Sequence, residues 1–253
     1  MKIIGIIPSR YASTRLPAKP LADICGKPMI QRVYEQVKQS TLLTSVVVAT
    51  DDERIASAVR SFGGNVQMTP VDIQSGSDRI ALVAKNNPAD IVVNIQGDEP
   101  LIDPQLIDQT IRLLIDDTQA VVGPAVKRTS SHQDLFNANI VKVVLDRNNF
   151  ALYFSRSPVP FVRDAKKDEE WFSSTTFYKH FGIYVYRADF LQYYTSLKPS
   201  ALEEAEKLEQ LRILENGFRI KCAVTEYESL PVDTPEDLLR VIEIVTAQNK
   251  HHM

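Results

Sequence analysis

The sequence predicts an α/β fold: a Rossmann-like, mostly parallel sheet with helices on both faces and a β-rich insertion. Short apolar runs alternate with segments of helical period along the first third of the chain, as in repeated β-α units. Residues 91–95 are apolar almost throughout, which is typical of a strand buried on both faces. We therefore expect one domain over residues 1–253, with the insertion at about 120–190.

The first third predicts four strands with helices between them. The strands are expected at residues 3–7, 46–49, 66–68 and 91–95. The first helix has its apolar residues at Met29, Ile30, Val33, Tyr34 and Val37. Gly63 ends the second helix, and Asp103 with Pro104 begins a later one as its N-cap and first residue. Ligands of such sheets bind beyond the carboxyl ends of the strands, so the loops that follow them are where a site is expected.

The middle third is β-rich. Strands are expected at residues 140–145, 151–155 and 180–186, with a turn at 146–149. Residues 161–176 are polar and charged with no clear period, which predicts a mobile loop. We expect this insertion to make dimer contacts, and hence a homodimer.

Helical period returns after the insertion. Ser200 and Glu203 form a capping box at the start of a helix that continues through Leu211 and ends at Gly217. Residues 220–224 predict a strand, and Thr234 with Pro235 begins the last helix.

Composition excludes several classes of protein. The 253 residues include 29 Lys plus Arg and 32 Asp plus Glu, for a formal net charge of −3, which argues against a nucleic-acid partner. No apolar run approaches the ~20 residues of a membrane span, and the N-terminal run is too short for a signal peptide, so we expect a cytoplasmic protein with no membrane insertion. Cys25 and Cys222 match no metal spacing and are expected to be free thiols.

A cationic loop follows the first strand. Arg10, Arg15 and Lys19 lie within ten residues, among small residues that let a ligand approach the backbone. A nucleoside triphosphate needs such converging cations, although a solvated basic loop would have the same composition. The loop has neither the phosphate-binding P-loop pattern nor G-x-G-x-x-G, which disfavours the usual ATPase and dehydrogenase functions.

Two aspartates lie in loops next to predicted strands or helices. Asp98 lies in a tight turn after the apolar run at 91–95, and Asp233 lies just before the last helix. Taken singly, each is an ordinary turn or helix-start aspartate, and spacing alone does not bring them together.

These motifs together resemble one family. The segment Ile-Pro-Ser-Arg-Tyr-Ala-Ser-Thr-Arg-Leu-Pro-Ala-Lys-Pro-Leu at residues 7–21 closely resembles the N-terminal signature of the 3-deoxy-D-manno-octulosonate (Kdo) cytidylyltransferases, or CMP-Kdo synthetases. The match continues, in the family's order, at residues 26–30, 49–51, 75–79, 94–100, 141–144, 153–156, 180–184, 207–212 and 232–238. The first motif is shared with sialic-acid relatives, whereas the middle and C-terminal blocks are more specific.

The resemblance implies a single nucleotidyltransferase domain that transfers CMP from CTP to Kdo, releasing pyrophosphate, for lipopolysaccharide biosynthesis. It implies Mg²⁺ held by Asp98 and Asp233. The implied catalytic residues are Arg10, Arg15, Lys19, Asp98 and Asp233. The residues implied to bind CTP are Pro8, Ser9, Arg10, Ser13, Lys19, Ser75 and Arg79. Those implied to bind Kdo are Gln96, Arg156, His180, Tyr184, Glu209 and Gln210.

Departures from the family pattern are small. They are Ser9 for Ala, Ala18 for Gly, Ser77 for Thr and Pro231 for Gly. Only Pro231 is expected to matter, because it stiffens the loop that presents Asp233. Two alternatives stay open: a related sugar acid, such as an 8-amino Kdo analogue or a sialic-type acid, and a non-catalytic nucleotide-sugar binding module. The presence of both aspartates disfavours the second.

Overall fold

A computed structural model describes residues 1–12, 16–73 and 75–251. The chain divides into two compact units, one made of Met1–Asp108 with Ser229–Met253 and the other of Gln109–Glu228. The predicted α/β class is confirmed, with a parallel sheet in the first unit and a β-rich second unit. The predicted single domain with an insertion at about 120–190 stays a prediction.

The first unit contains a four-stranded parallel sheet in the order β6-β1-β4-β5. Its strands are β1 (Ile3–Ser9), β4 (Ser45–Thr50), β5 (Val66–Met68) and β6 (Ile91–Asn94). Ile6 of β1 lies opposite Val47 on one side and Asn94 on the other. These strands confirm the four that the sequence predicted, and they are apolar because helices cover them. A short hairpin, β2 (Asp23–Ile24) with β3 (Lys27–Pro28), lies outside this sheet.

Helices of the first unit bury the faces that the sequence pattern predicted. They are α1 (Met29–Val37), α2 (Glu53–Ser61), α3 (Gly76–Asn86) and α10 (Pro235–His251). The division between the units falls within α4 (Pro104–Asp116). The side chain of Ser75 caps α3 by accepting a hydrogen bond from the backbone N–H of Asp78 at 3.0 Å. None of the helices in the described ranges is long and apolar enough to span a bilayer.

The second unit is a mixed sheet. Its strands are β7 (Val122–Thr129), β8 (Lys142–Leu145), β9 (Ala151–Ser155), β10 (Phe177–Arg187) and β11 (Ala223–Thr225). β7, β10, β8 and β9 pair antiparallel in that order, and β11 runs parallel to β7.

The helices of the second unit correct one prediction. They are α5 (His132–Phe136), α6 (Trp171–Ser174), α7 (Ala188–Ser196), α8 (Ala201–Glu206) and α9 (Gln210–Glu215). The capping box of Ser200 and Glu203 is confirmed. The single helix from there to Gly217 is wrong, because Lys207 adopts a left-handed conformation with φ 54° and ends α8.

Residues 161–176 contain regular structure that the sequence did not predict. A 3-10 turn at Asp168–Glu170 leads into α6. Trp171 is buried there against Phe177 and Leu135. A segment whose polar composition predicted only a loop therefore contributes Trp171 to a small apolar cluster.

Candidate functional site

The carboxyl ends of the four parallel strands lie at one edge of the first unit's sheet. The loops that leave this edge carry Arg10, Asp51, Ser75, Gln96 and Asp98. This is the edge where the sequence predicted a site.

Lys19 joins the two predicted metal ligands. Its Nζ lies 2.7 Å from Oδ2 of Asp98 and 3.0 Å from Oδ1 of Asp233. All three side chains are partly buried, at 17%, 23% and 35% exposure respectively. The structure therefore brings together three predicted catalytic residues that are far apart in the sequence.

Backbone hydrogen bonds hold both aspartates in place. The N–H of Val232 donates to the carbonyl oxygen of Asp98 at 2.9 Å. Oδ2 of Asp237 accepts from the N–H of Asp233 at 3.0 Å and from that of Thr234 at 2.9 Å. Asp237 thus caps α10 and fixes the backbone that presents Asp233.

The charges around Lys19 favour its ammonium form. Burial alone would lower the pKa of Lys19, but the charges and hydrogen bonds of Asp98 and Asp233 outweigh it and raise the pKa above the ordinary value. Lys19 is therefore a permanent cation at neutral pH.

Glu99 is a further carboxyl that the sequence analysis missed. Burial raises its pKa to about 7, a hydrogen bond with Ser229 works against the rise, and the charge of Asp98 adds to it. Glu99 consequently carries less than a full negative charge beside Asp98 at neutral pH. Its place directly after a predicted ligand was the available signal.

The donor set fits a hard, oxygen-ligated cation. One ammonium contacts both carboxylates, so a single small cation can reach both oxygens. No group of three or more His, Cys, Asp or Glu in the described ranges is arranged to hold a metal. Mg²⁺ takes one or two carboxylates together with phosphate oxygens and water, so these two aspartates suit it once a triphosphate supplies the other ligands.

The predicted phosphate loop is described in part. The guanidinium of Arg10 donates to the carbonyl of Ile73, in the loop after β5. Ser9 is buried, and its Oγ has no hydrogen-bond partner among the described residues. A Cβ on Gly97 would lie 3.0 Å from the carbonyl oxygen of Pro8, so glycine allows the two strand ends to approach closely. Ser13 and Arg15 lie outside the described residues.

Arg79 is a buried residue of α3 that contacts two of the loops at this edge of the sheet. It is fully buried, at 0% exposure, and its guanidinium donates to Oδ2 of Asp51 at 2.7 Å and to the hydroxyl of Thr69. Arg79 therefore joins the loops that follow β4 and β5. Its predicted contact with CTP, like that of the helix cap Ser75, stays a prediction.

In the second unit, backbone carbonyls hold Arg156. Its Nε donates to the carbonyl of Glu206 at 2.7 Å, Nη1 to that of Ala138 at 3.0 Å and Nη2 to that of Lys207 at 3.3 Å. No carboxylate among the described residues forms a salt bridge with this guanidinium. The backbone N–H of Arg156 also donates to Oε2 of Glu206 at 2.9 Å, so the residue is held at both its backbone and its side chain.

Three other predicted sugar residues bury polar atoms that have no hydrogen-bond partner among the described residues. These atoms are Nε2 of His180, the hydroxyl of Tyr184 and Nε2 of Gln210. The His180 and Tyr184 rings lie 5.2 Å apart, centroid to centroid. Buried polar groups in native proteins nearly always have partners, so these three atoms require partners that the described residues do not supply.

Burial also sets the protonation of this group. Although part of His180 is exposed, its Nε2 atom is buried, and burial lowers the pKa of the imidazole to about 3, so it is neutral at pH 7. Burial likewise raises the pKa of the Tyr184 hydroxyl well above its ordinary value. Glu209 lies between α8 and α9, where its carbonyl accepts from the hydroxyl of Tyr194 at 3.1 Å. Gln96 follows β6 in the first unit and is half-buried.

Comparisons with known proteins point to one family over almost the whole chain. A family model described as Cytidylyltransferase matches residues 4–221. The chain is 54% identical to the 3-deoxy-manno-octulosonate cytidylyltransferase of Geobacter metallireducens, over 96% of this chain and 97% of the relative. It is 55% identical to the protein of the same name from Parabacteroides distasonis, again over 96% and 97%.

Solved structures show the same fold. A CMP:2-keto-3-deoxy-manno-octonic acid synthetase complexed with CTP superposes with a TM-score of 0.91 at 42% identity, covering 98% of this chain and 100% of that one. A 4-diphosphocytidyl-2C-methyl-D-erythritol synthase from Anaerococcus prevotii has a TM-score of 0.61 at 14% identity, covering 97% and 99%. The second likeness concerns the fold alone.

Proposed function

This chain belongs to the 3-deoxy-manno-octulosonate cytidylyltransferase family, and we propose that it transfers CMP from CTP to Kdo, releasing pyrophosphate. The contact of Lys19 with both Asp98 and Asp233 is the observation that carries this proposal. This contact places a cation of the predicted phosphate loop beside the two carboxylates proposed to hold the metal. Nucleotidyl transfer uses both a cation and a metal to stabilise charge on the phosphates. The product is the activated sugar used in lipopolysaccharide biosynthesis.

The reaction is a displacement at phosphorus. The anomeric hydroxyl of Kdo attacks the α-phosphorus of CTP and gives up its proton to solvent. The bond from that phosphorus to the bridging oxygen breaks, and pyrophosphate leaves with the electron pair. Arg10 and Lys19 counter the negative charge of the triphosphate, and Lys19 does so as a permanent ammonium. Arg15 is proposed to act with them. Catalysis is then mainly positioning and charge stabilisation.

Mg²⁺ is the proposed metal, with Asp98 and Asp233 as its protein ligands. When bound, it supplies positive charge at the α-phosphate and lowers the pKa of the attacking hydroxyl. The hydrogen bonds from Val232 to Asp98 and from Asp233 to Asp237 would hold the two carboxylates ready.

The sugar acid is proposed to bind to the predicted residues of the second unit, and Gln96 of the first unit stays a predicted sugar residue. A guanidinium held by three carbonyls offers its charge to the Kdo carboxylate. The buried polar atoms of His180, Tyr184 and Gln210 would pair with hydroxyls of the sugar, which removes the cost of leaving them unpaired. Glu209 is proposed as a further hydroxyl partner.

A homodimer in the cytoplasm remains part of the proposal. Leu152 on β9 is 60% exposed, and β9 pairs only with β8 among the described strands. An edge strand with an exposed apolar side chain suits contact with a second copy. Light scattering coupled to size-exclusion chromatography would measure this state, and a monomeric mass at micromolar concentration would contradict it.

The test of the proposed function is pyrophosphate release with CTP and Mg²⁺ against a panel of sugar acids. We expect release with Kdo and much lower kcat/KM with an 8-amino analogue or a sialic-type acid. If another member of the panel is preferred, the assigned sugar acid changes, but the assigned reaction, nucleotidyl transfer from CTP, stands. Release that does not depend on any sugar acid would contradict the proposal.

A further inference from the structure

Lys142 is a buried lysine whose ammonium, within the part of the chain that the structure describes, donates only to backbone carbonyls. It is 0% exposed, and its Nζ donates to the carbonyl oxygens of Asn137 at 2.9 Å and Ile140 at 2.6 Å. Burial lowers its pKa, the nearby Arg156 lowers it further, and Glu206 opposes both. Burying an ammonium is costly, so a lysine in this place requires a reason.

The position of Lys142 in the sheet is informative. It lies on β8, opposite Ser155 of β9 on one side and Lys179 of β10 on the other. The residues that follow these two partners in the sequence are Arg156, directly after β9 ends, and His180 on β10. Lys142 is therefore one residue away, across each strand pair, from two residues assigned to the sugar acid.

The segment 137–141 connects Lys142 to both of these residues. Between the two carbonyls that Lys142 holds lies Ala138, whose carbonyl accepts from Nη1 of Arg156 at 3.0 Å. The carbonyl of Val141 accepts from the backbone N–H of His180 at 2.9 Å. If the ammonium were lost, this segment would lose two anchors, and the guanidinium would lose a fixed acceptor.

We propose that Lys142 is a positioning residue for the sugar acid: its ammonium fixes segment 137–141, and that segment orients Arg156 and His180. The inference rests on the proposed function, since it assumes that these two residues bind Kdo. It assigns no contact between Lys142 and the substrate.

The test separates the two substrates. Lys142→Met keeps the length of the side chain and removes the donors, whereas Lys142→Gln keeps one donor group. We expect Lys142→Met to raise KM for Kdo about tenfold, with KM for CTP and kcat within about twofold of wild type. Lys142→Gln should fall between Lys142→Met and wild type.

Lys179→Met is the matched control. Lys179 is the cross-strand neighbour of Lys142, but its ammonium pairs with Asp134 at 2.8 Å and Glu228 at 2.6 Å. Both KM values should stay within about twofold of wild type in this variant. Melting temperatures of all variants are measured, so that a general loss of stability is separated from a specific loss of sugar affinity.

Three outcomes overturn the inference. In the first, Lys142→Met leaves KM for Kdo unchanged. In the second, it raises KM for CTP by the same factor. In the third, Lys179→Met matches it. If Lys142→Met does not fold, Lys142→Gln decides the question, because unchanged KM for Kdo in that variant is equally contradictory. A wild-type protein that releases no pyrophosphate with Kdo contradicts the proposed function instead.

Discussion

At the scale of single residues, the site depends on charged side chains that specific contacts hold in place. Asp98 and Asp233 approach each other because the Lys19 ammonium contacts both. Arg156 is oriented by backbone carbonyls, and no carboxylate in the described part of the chain forms a salt bridge with its guanidinium. Each arrangement fixes a charged side chain in the place where the proposed substrate or metal would meet it.

Asp98→Asn should fold normally and lose most activity. Asparagine keeps the shape of the side chain, but it removes the negative charge that attracts the metal. Losing about 4 kcal/mol of transition-state stabilisation slows the step roughly a thousandfold. The measurement is kcat at saturating CTP and Kdo, with circular dichroism and melting temperature as controls for folding. Turnover close to that of wild type at limiting Mg²⁺ would show that the metal is held elsewhere.

Arg156→Ala should weaken Kdo binding far more than CTP binding. When the Kdo carboxylate loses its guanidinium partner, the binding free energy of Kdo weakens by about 2 kcal/mol, or roughly thirtyfold in affinity. Isothermal titration with each ligand separates the two effects.

Arg187→Ala is the control for Arg156→Ala. Arg187 lies in the same unit and also donates to three backbone carbonyls, those of Ala120, Leu114 and Asp117. Both variants should lose stability, but only Arg156→Ala should lose Kdo affinity. A variant at Arg156 that loses CTP affinity and keeps Kdo affinity would contradict its assignment.

At the scale of elements, the sequence predicted the parallel strands well because their burial makes them apolar. It missed β7, which begins with Val122, Gly123 and Pro124. Proline is tolerated there because the pairing of β7 with β10 is irregular next to Pro124. Glycine is needed because a Cβ at 123 would lie 2.5 Å from the carbonyl oxygen of Lys221. These packing requirements involve distant residues, so local pattern does not reveal them.

The break between α8 and α9 was also missed, for a related reason. Leu208 and Leu211 continue the helical spacing of the preceding residues. The left-handed turn occurs at Lys207, a residue that gives no sign of a break, instead of at a glycine. Spacing and periodicity likewise do not predict that Asp98 and Asp233 approach each other. That approach followed only from the resemblance to the family.

The start of α10 allows a test of how an element supports the site. Asp237→Ala removes the acceptor for the N–H groups of Asp233 and Thr234. Loss of such a cap costs about 1 kcal/mol, which lowers the melting temperature by about 2–4 °C in a protein of this size. The Mg²⁺ concentration for half-maximal velocity should rise severalfold.

Ser131→Ala is the comparison for Asp237→Ala. Ser131 caps α5 in the second unit by accepting from the N–H of Asp134 at 3.1 Å. Its loss should cost stability without changing the Mg²⁺ dependence. If both variants change the Mg²⁺ dependence alike, the cap of α10 has no special role in presenting Asp233.

At the scale of the whole molecule, the net charge of −3 does not show that charged and polar site residues are distributed differently between the two units. The first unit carries the cations and carboxylates assigned to CTP and Mg²⁺. The second unit carries the buried polar atoms assigned to the sugar acid. That unit spans Gln109–Glu228, beyond the β-rich stretch predicted at about 120–190, because α7, α8, α9 and β11 belong to the same compact unit. Composition along the chain shows the β-rich stretch but not the helices that pack with it.

The choice of nucleobase is a property of the complete enzyme. Cytosine offers a donor amine at C4 and an unprotonated N3, and uracil reverses both, so a pocket matched to cytosine leaves polar atoms unpaired with uracil. We expect kcat/KM with Kdo to be highest for CTP, lower for UTP by about a hundredfold, and lowest for ATP and GTP, because purines are too large for a pyrimidine pocket. Equal values for CTP and a purine nucleotide would contradict a pyrimidine pocket.

The most direct test of nucleotidyl transfer follows the phosphorus atoms of CTP. Two reactions with Kdo and Mg²⁺ are run, one with CTP labelled at the α-phosphorus and one with CTP labelled at the γ-phosphorus. We predict that the α label appears in a product containing both cytidine and Kdo, and that the γ label appears only in pyrophosphate. Recovery of the γ label on the sugar, or of the α label in a product without Kdo, would contradict the transfer of CMP to this sugar acid.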